Sequence, residues 1–155
     1  MNAIFRKLNL TGDRPVHVID APASFEPELA EVAETNAVVR SLDGVAGATF
    51  AMAFATKQHE VDAFAEAVSR ATEGDATVWV AYPKGSSKRY TCEFNRDTGW
   101  AALGAAGFEP VRQVAIDEDW SALRFRRVEY IAKLTRSAAL SEQGRARLGD
   151  GGLTT

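Results

Sequence analysis

Residues 77–82 read TVWVAY, a strand-length run without a charged side chain and with a tryptophan near its centre. Hydrophobicity that is continuous rather than alternating marks a strand buried on both faces, as parallel strands covered by helices are. ATFAMAFA at 48–55 has the same character. Between the two lies HEVDAFAEAVSRA at 59–71, which sets Val61, Phe64, Ala65 and Val68 on one side and Glu60, Asp62, Glu66 and Arg70 on the other. Strand, amphipathic helix and strand in succession make a βαβ unit, with EGD at 73–75 read as the turn before the second strand.

The flanking segments extend this pattern. VHVID at 16–20 is a short β-rich run, and SFEPELAEVAE offers Ser24 as an N-cap with Pro27 near the first turn. Phe25, Leu29 and Val32 share one helical face, and AVVRSL at 37–42 is extended. Asn95 or Asp97 is placed to cap a helix through Trp100, Ala101 and Leu103, ended by Gly104 or Gly107. VRQVAI at 111–116 and SALRFRRV at 121–128 are strands about four residues apart, close enough only for an antiparallel hairpin. A last helix is expected over 128–140. The expected fold is a single α/β domain over 1–140 with a flexible tail at 141–155. Its sheet is open and mostly parallel, with helices on both faces and an antiparallel hairpin at one edge, Rossmann-like but lacking the glycine-rich loop.

Composition narrows the class. The 155 residues are 46% hydrophobic and 25% charged, which suits one soluble globular domain. One cysteine, Cys92, precludes an intramolecular disulfide, and with only His17 and His59 a zinc constellation is poorly supplied. The longest weakly polar run, VAGATFAMAFA at 45–55, is too short to span a bilayer, so a cytoplasmic protein with no membrane partner is expected. Net charge is −3, divided as −6 over residues 1–83 and +3 over 84–155. That excess is too small for a nucleic-acid binder but favours the second half as the place for an anion.

Two stretches carry candidate chemistry. AYPKGSSKRY at 81–90 leaves the end of a central strand, where open α/β sheets bind ligands. Lys84, Lys88 and Arg89 bring charge, Ser86 and Ser87 bring hydroxyls, and Gly85 permits close approach. The spacing is not that of a P-loop, and a solvated basic loop is the structural alternative. AIDEDWSALRF at 115–125 sets Asp117, Glu118 and Asp119 before Trp120, Ser121 and Arg124. Asp117 as a general base with Arg124 as an anion anchor is one reading, and a magnesium site is another. The third is an acidic hairpin neutralised by Arg124 or Arg126. Asp20 in VIDAP stands where class I methyltransferases keep an acidic residue, but Pro22 and Phe25 replace the glycine loop that cradles their cofactor.

Taken together, Trp79, Tyr82, Pro83, Lys84, then Asn95, Arg96, Asp97, then Asp117, Trp120, Ser121, Leu123, Arg124 and Phe125 resemble a bacterial family of about 150 residues. It is a domain of unknown function with the pattern W-x-x-[YW]-P-K followed by D-x-x-W-S-[AG]-L-[RK]-F. The resemblance implies an α/β fold, and it implies that Lys84, Asp117, Trp120, Ser121 and Arg124 form one feature. No activity and no cofactor come with it. The hairpin also resembles the carboxyl half of a Rossmann-like methyltransferase, although the missing glycines argue against methyl transfer. A binding protein or small enzyme for an anionic small molecule is therefore expected, on Lys84, Ser86, Ser87, Lys88, Trp120, Ser121 and Arg124 with Asp117 as catalytic candidate. A non-enzymatic dimerising or partner-binding module is the alternative.

Overall fold

The computed structural model describes residues 2–131. Six strands form one sheet: β1 (Val16–Ile19), β2 (Val38–Val39), β3 (Ala48–Phe54), β4 (Thr72–Pro83), β5 (Phe108–Ala115) and β6 (Trp120–Arg127), in the spatial order β2-β1-β3-β4-β6-β5. β2, β1, β3 and β4 run parallel, whereas β6 pairs antiparallel with both β4 and β5. The hairpin therefore folds back so that its second strand, not its first, meets the parallel sheet.

β3 and β4 are buried on both faces because two separate cores need them. Phe50, Met52, Trp79 and Ala81 project toward α1 (Ala3–Lys7) and α2 (Glu26–Val32), where Phe5, Leu8, Phe25 and Leu29 meet them. Ala51, Ala53, Val78, Val80 and Tyr82 project the other way, against Val61, Phe64 and Val68 of α3 (Gln58–Ala71) and Leu103 of α4 (Ala101–Ala105). This is the expected α/β architecture, with its edge hairpin and helices on both faces. Glu66 and Arg70 form the i,i+4 pair on the exposed side of α3 at 2.7 Å.

Several local expectations change. The first helix, α1, is short and carries no long apolar run. It forms because the Asn2 side chain accepts from Phe5 N–H at 3.0 Å while Phe5 and Leu8 enter the core. Ser24 does not cap α2; it lies in a 3-10 turn, Ala23–Phe25, that delivers Phe25 to the core, and Pro27 takes the first-turn position. No turn separates α3 from β4, since the strand begins at Thr72 directly after Ala71. The EGD signal instead marks an irregularity within β4: Gly74 has φ 65°, and pairing with β3 jumps from Thr72 opposite Ala48 to Thr77 opposite Phe50. Asn95 and Asp97 do not cap α4, and β5 starts at Phe108, earlier than expected. Pro110 fits there because β5 is an edge strand, and the register shifts between Pro110 and Arg112. Of the helix expected over 128–140, Val128–Tyr130 form a 3-10 turn that Ile131 leaves in an extended conformation; residues 132–140 and the tail at 141–155 lie outside the described residues.

Trp79 is fully buried, and its indole N–H donates to the Leu8 carbonyl at 2.8 Å, fastening α1 to the sheet centre. Trp79→Phe keeps most of the ring but strands that carbonyl. We expect a loss of about 1–2 kcal/mol, read from the urea midpoint with an unchanged slope.

Candidate functional site

β4 ends at Pro83, which has no N–H to donate, and the chain turns out over the carboxyl end of the sheet. It is held there from the first residue. Lys84 N–H donates to the Asp119 carbonyl at 2.8 Å, and Ser87 donates through Oγ to Asp119 Oδ1 at 2.9 Å. The same Ser87 Oγ accepts from Arg89 and Tyr90 N–H at 3.3 and 3.2 Å, while Arg89 Nε lies 3.7 Å from Asp119 Oδ2. Asp119 thus clasps the 84–90 loop to the hairpin turn.

Farther along, Glu93 N–H donates to Thr56 O at 3.0 Å, and the Glu93 carboxylate accepts from Gln58 N–H at 2.8 Å, at the first turn of α3. Asn95 Oδ1 accepts from Asp97 N–H at 2.8 Å to make a tight turn. Gly99 then passes at φ 92°, where an added Cβ would lie 2.6 Å from that of Phe94. Trp100 Nε1 closes the excursion by donating to Arg96 O at 2.9 Å.

Between this loop and the strand ends is a cavity of about 830 Å³, with Tyr82, Lys84, Ser87, Cys92, Arg96 and Ser121 on its wall. Tyr82 and Ser121 are cross-strand partners on the same face of the sheet. Tyr82 packs edge-on against Trp100 with ring centroids 5.7 Å apart, and its hydroxyl accepts from Gln113 Nε2 at 3.0 Å. Burial pushes the Tyr82 phenol up, against a smaller downward pull from Arg96. Burial likewise raises the Cys92 thiol. Arg96 is matched by Asp97 at 3.4 Å and Glu93 is taken by α3, whereas Lys84 forms no ion pair among the described residues. The cavity wall therefore carries Lys84 and Arg96 together with Glu93 and Asp97, beside hydroxyls, a phenol and amide donors, and of the two cations Lys84 is the one without an ion pair among the described residues.

The structure divides the residues singled out from sequence. Lys84, Ser87 and Ser121 line the cavity; Ser86 and Lys88 are exposed and do not. Asp117 does not line it either: its Oδ1 accepts from Asp119 and Trp120 N–H at 2.8 and 2.9 Å and shapes the hairpin turn, so the general-base arrangement is not formed. Trp120 is buried on the opposite face, 5.1 Å from Phe54 and 4.9 Å from Tyr90 between ring centroids, and its indole N–H has no partner among the described residues. Arg124 sits on that same opposite face beside Asn9, far along β6 from the strand end. A shared cleft of Lys84, Asp117 and Arg124 does not exist, because alternation along β6 sends Ser121 and Arg124 to different sides. Among the described residues, no three His, Cys, Asp or Glu side chains converge as metal ligands. Tyr82, Cys92 and Gln113 were missed from sequence; Tyr82 and Cys92 read as core, and Gln113 reads as an ordinary strand residue.

A second crevice, about 460 Å³, opens where the strand order reverses between β1 and β3. Ile19 and Asp20 close one side, Ala53 and Phe54 another, with Arg40, His59 and Phe64 around them.

No family model matches the chain, and no curated protein is similar enough in sequence to stand as a relative. Solved structures do share the fold. A SAM-dependent methyltransferase from Aquifex aeolicus superposes with TM-score 0.58 at 15% identity, over 81% of this chain and 88% of its own. The 1,6-didemethyltoxoflavin-N1-methyltransferase from Burkholderia thailandensis, solved with its substrate and S-adenosylhomocysteine, gives 0.50 at 16%, over 81% and 79%. The chain thus shares the Rossmann-like α/β fold of these structures.

The residues at the switch point do not fit the adenosyl cofactor of those neighbours. The loop after β1, Asp20 to Phe25, contains no glycine; Pro22 has no N–H to offer, and Phe25 is packed 4.8 Å from Phe54. At the end of β2, where an acidic side chain would receive ribose hydroxyls, stands Arg40, locked to Glu26 by two hydrogen bonds of 2.8 Å.

The raised Cys92 thiol gives a direct test of the cavity wall. Less thiolate at a given pH means slower alkylation, so its iodoacetamide rate profile should be displaced to higher pH than that of free cysteine. A profile at or below the free-thiol position would contradict the burial.

Proposed function

We propose that the chain binds a small anionic molecule in the 830 Å³ cavity at the carboxyl ends of β4 and its neighbours, as a binding protein or a small enzyme acting on that molecule. The observation that carries this reading is Lys84. Lys84 lines the cavity with no ion pair among the described residues, whereas Arg96 is paired with Asp97 and the Glu93 carboxylate accepts from Gln58 N–H. The volume lies within the range of small-molecule sites, and the position agrees with where open α/β sheets bind ligands. Ser87, Ser121 and Tyr82 supply polar groups that would orient the ligand around the charge. Ser87 is committed to the loop by the hydrogen bonds it makes, which suits a positioning role better than a nucleophilic one.

Methyl transfer is the activity that the fold neighbours bring to mind, and the switch-point residues speak against it. Equilibrium dialysis against S-adenosylmethionine should show no saturable uptake; saturable uptake would overturn this part of the reading. For the anion, a panel of small carboxylates and phosphate monoesters, citrate and AMP among them, should contain a member that slows Cys92 alkylation saturably. Lys84→Met should abolish that protection. If no member protects Cys92, or if protection survives Lys84→Met, the cavity is not the anion site proposed.

A further inference from the structure

The face of the sheet opposite the cavity carries a second concentration of positive charge. Arg112 of β5 and Arg124 of β6 are directly opposed cross-strand partners, and Trp79 of β4 flanks Arg124 on its other side. Like charges in that relation destabilise a sheet. The structure gives them little in return. Arg112 Nη1 and Arg124 Nη1 each reach the same neutral oxygen, Asn9 Oδ1, at 3.4 Å. Sharing that acceptor holds the two nitrogens within about 7 Å of each other, where like charges still repel. A third guanidinium, that of Arg14, lies 3.5 Å from the Asn9 carbonyl through Nη2 and also meets Thr11 O and Thr49 O at 3.1 and 3.5 Å.

All of these acceptors are uncharged. The carboxylate that acts on Arg124, Asp75, is already held by Arg126 through two hydrogen bonds of 2.8 and 2.7 Å. Arg124 Nε is buried with no hydrogen-bond partner among the described residues. Burial pulls the Arg124 guanidinium below its ordinary range, and Arg126, Arg112 and Arg14 push the same way against the opposing pull of Asp75. Asn9 itself is in the left-handed region, φ 64°, which brings its amide and carbonyl to this spot.

We propose that Arg14, Arg112 and Arg124 form a binding site for a phosphate-type oxyanion, seated over Asn9 and separate from the cavity that holds Lys84. Guanidinium groups are planar forks of donors that match tetrahedral and planar oxyanions in pairs. An oxyanion would convert the cross-strand repulsion into attraction and supply acceptors of higher charge than the Asn9 amide. The site is open to solvent on the Arg112 side, which is exposed. Free phosphate, pyrophosphate and phosphate esters share the required chemistry.

The test is thermal unfolding of the full chain in pyrophosphate, with ionic strength held constant by sodium chloride. Wild type should gain several degrees saturably over chloride, as a ligand that binds only the folded state does. Arg112→Gln removes one of the opposed charges at an exposed position. In chloride it should melt at or above the wild-type temperature, and the pyrophosphate gain should vanish. Lys84→Met should keep the gain. The proposal fails if pyrophosphate does no more than matched chloride, or if the gain persists in both Arg112→Gln and Arg124→Gln. Loss of the gain in Lys84→Met would also overturn it, since the anion would then be sitting in the cavity.

Discussion

The double-sided burial of β4 is the constraint on which the rest depends. Residues 76–83 are all buried, so the strand needs apolar cover above and below along its whole carboxyl half. α3 and α4 provide it on one side, α1 and α2 on the other, and Trp79 anchors the second layer through Leu8. A strand so enclosed can present chemistry only at its end. The pairing with β6 runs one step past Pro83, and that backbone bond from Lys84 to Asp119 turns the exit loop into a wall rather than a frayed excursion. Cavity and strand are thus consequences of one pattern of hydrophobicity.

Alternation decides which side chains share that end. Along β6, Ser121, Leu123 and Phe125 follow Tyr82, Val80 and Val78, while Trp120, Ala122 and Arg124 follow Pro83, Ala81 and Trp79. Three positions separate Ser121 from Arg124, an odd number, and the two must face opposite layers whatever their loops do. A motif that looks compact on the page is split by the sheet into a cavity residue and a residue of the far face. The link that survives between the exit loop and the hairpin is made by Asp119, which joins them through both its carbonyl and its carboxylate.

Much of the architecture could be read from the sequence because it rests on periodicity. TVWVAY, ATFAMAFA and the amphipathic run at 59–71 each state their burial directly, and the four-residue separation of the last two strands dictates a hairpin. The site was harder, because its geometry depends on register. Counting symmetrically outward from Glu118 pairs Ala115 with Ser121 and Arg112 with Arg124, as the structure has them. Reading the motif as one cluster passed over that count. Asp117 misled for a different reason: an aspartate whose oxygen accepts the next backbone amides makes the same sequence signal as a catalytic carboxylate. Gly74 and its neighbours signalled a turn, and the chain does bend there, but inside a strand whose partner tolerates the break.

The switch-point crevice shows how a shared fold and a shared ligand come apart. Strand order and crossover direction create the crevice wherever β1 and β3 diverge, so its presence follows from topology alone. Holding a nucleoside there takes specific local features: amides at a glycine turn and an acid at the end of the second strand. In this chain the first is replaced by Pro22 and an inward Phe25, and the second by an arginine already neutralised by Glu26. Each substitution has its own structural use, one filling the core beside Phe54 and the other closing β2 onto α2. Residues that have taken on packing and pairing roles cannot also receive a cofactor. The cations without an ion pair among the described residues lie elsewhere, Lys84 on one side of the sheet and the arginines around Asn9 on the other.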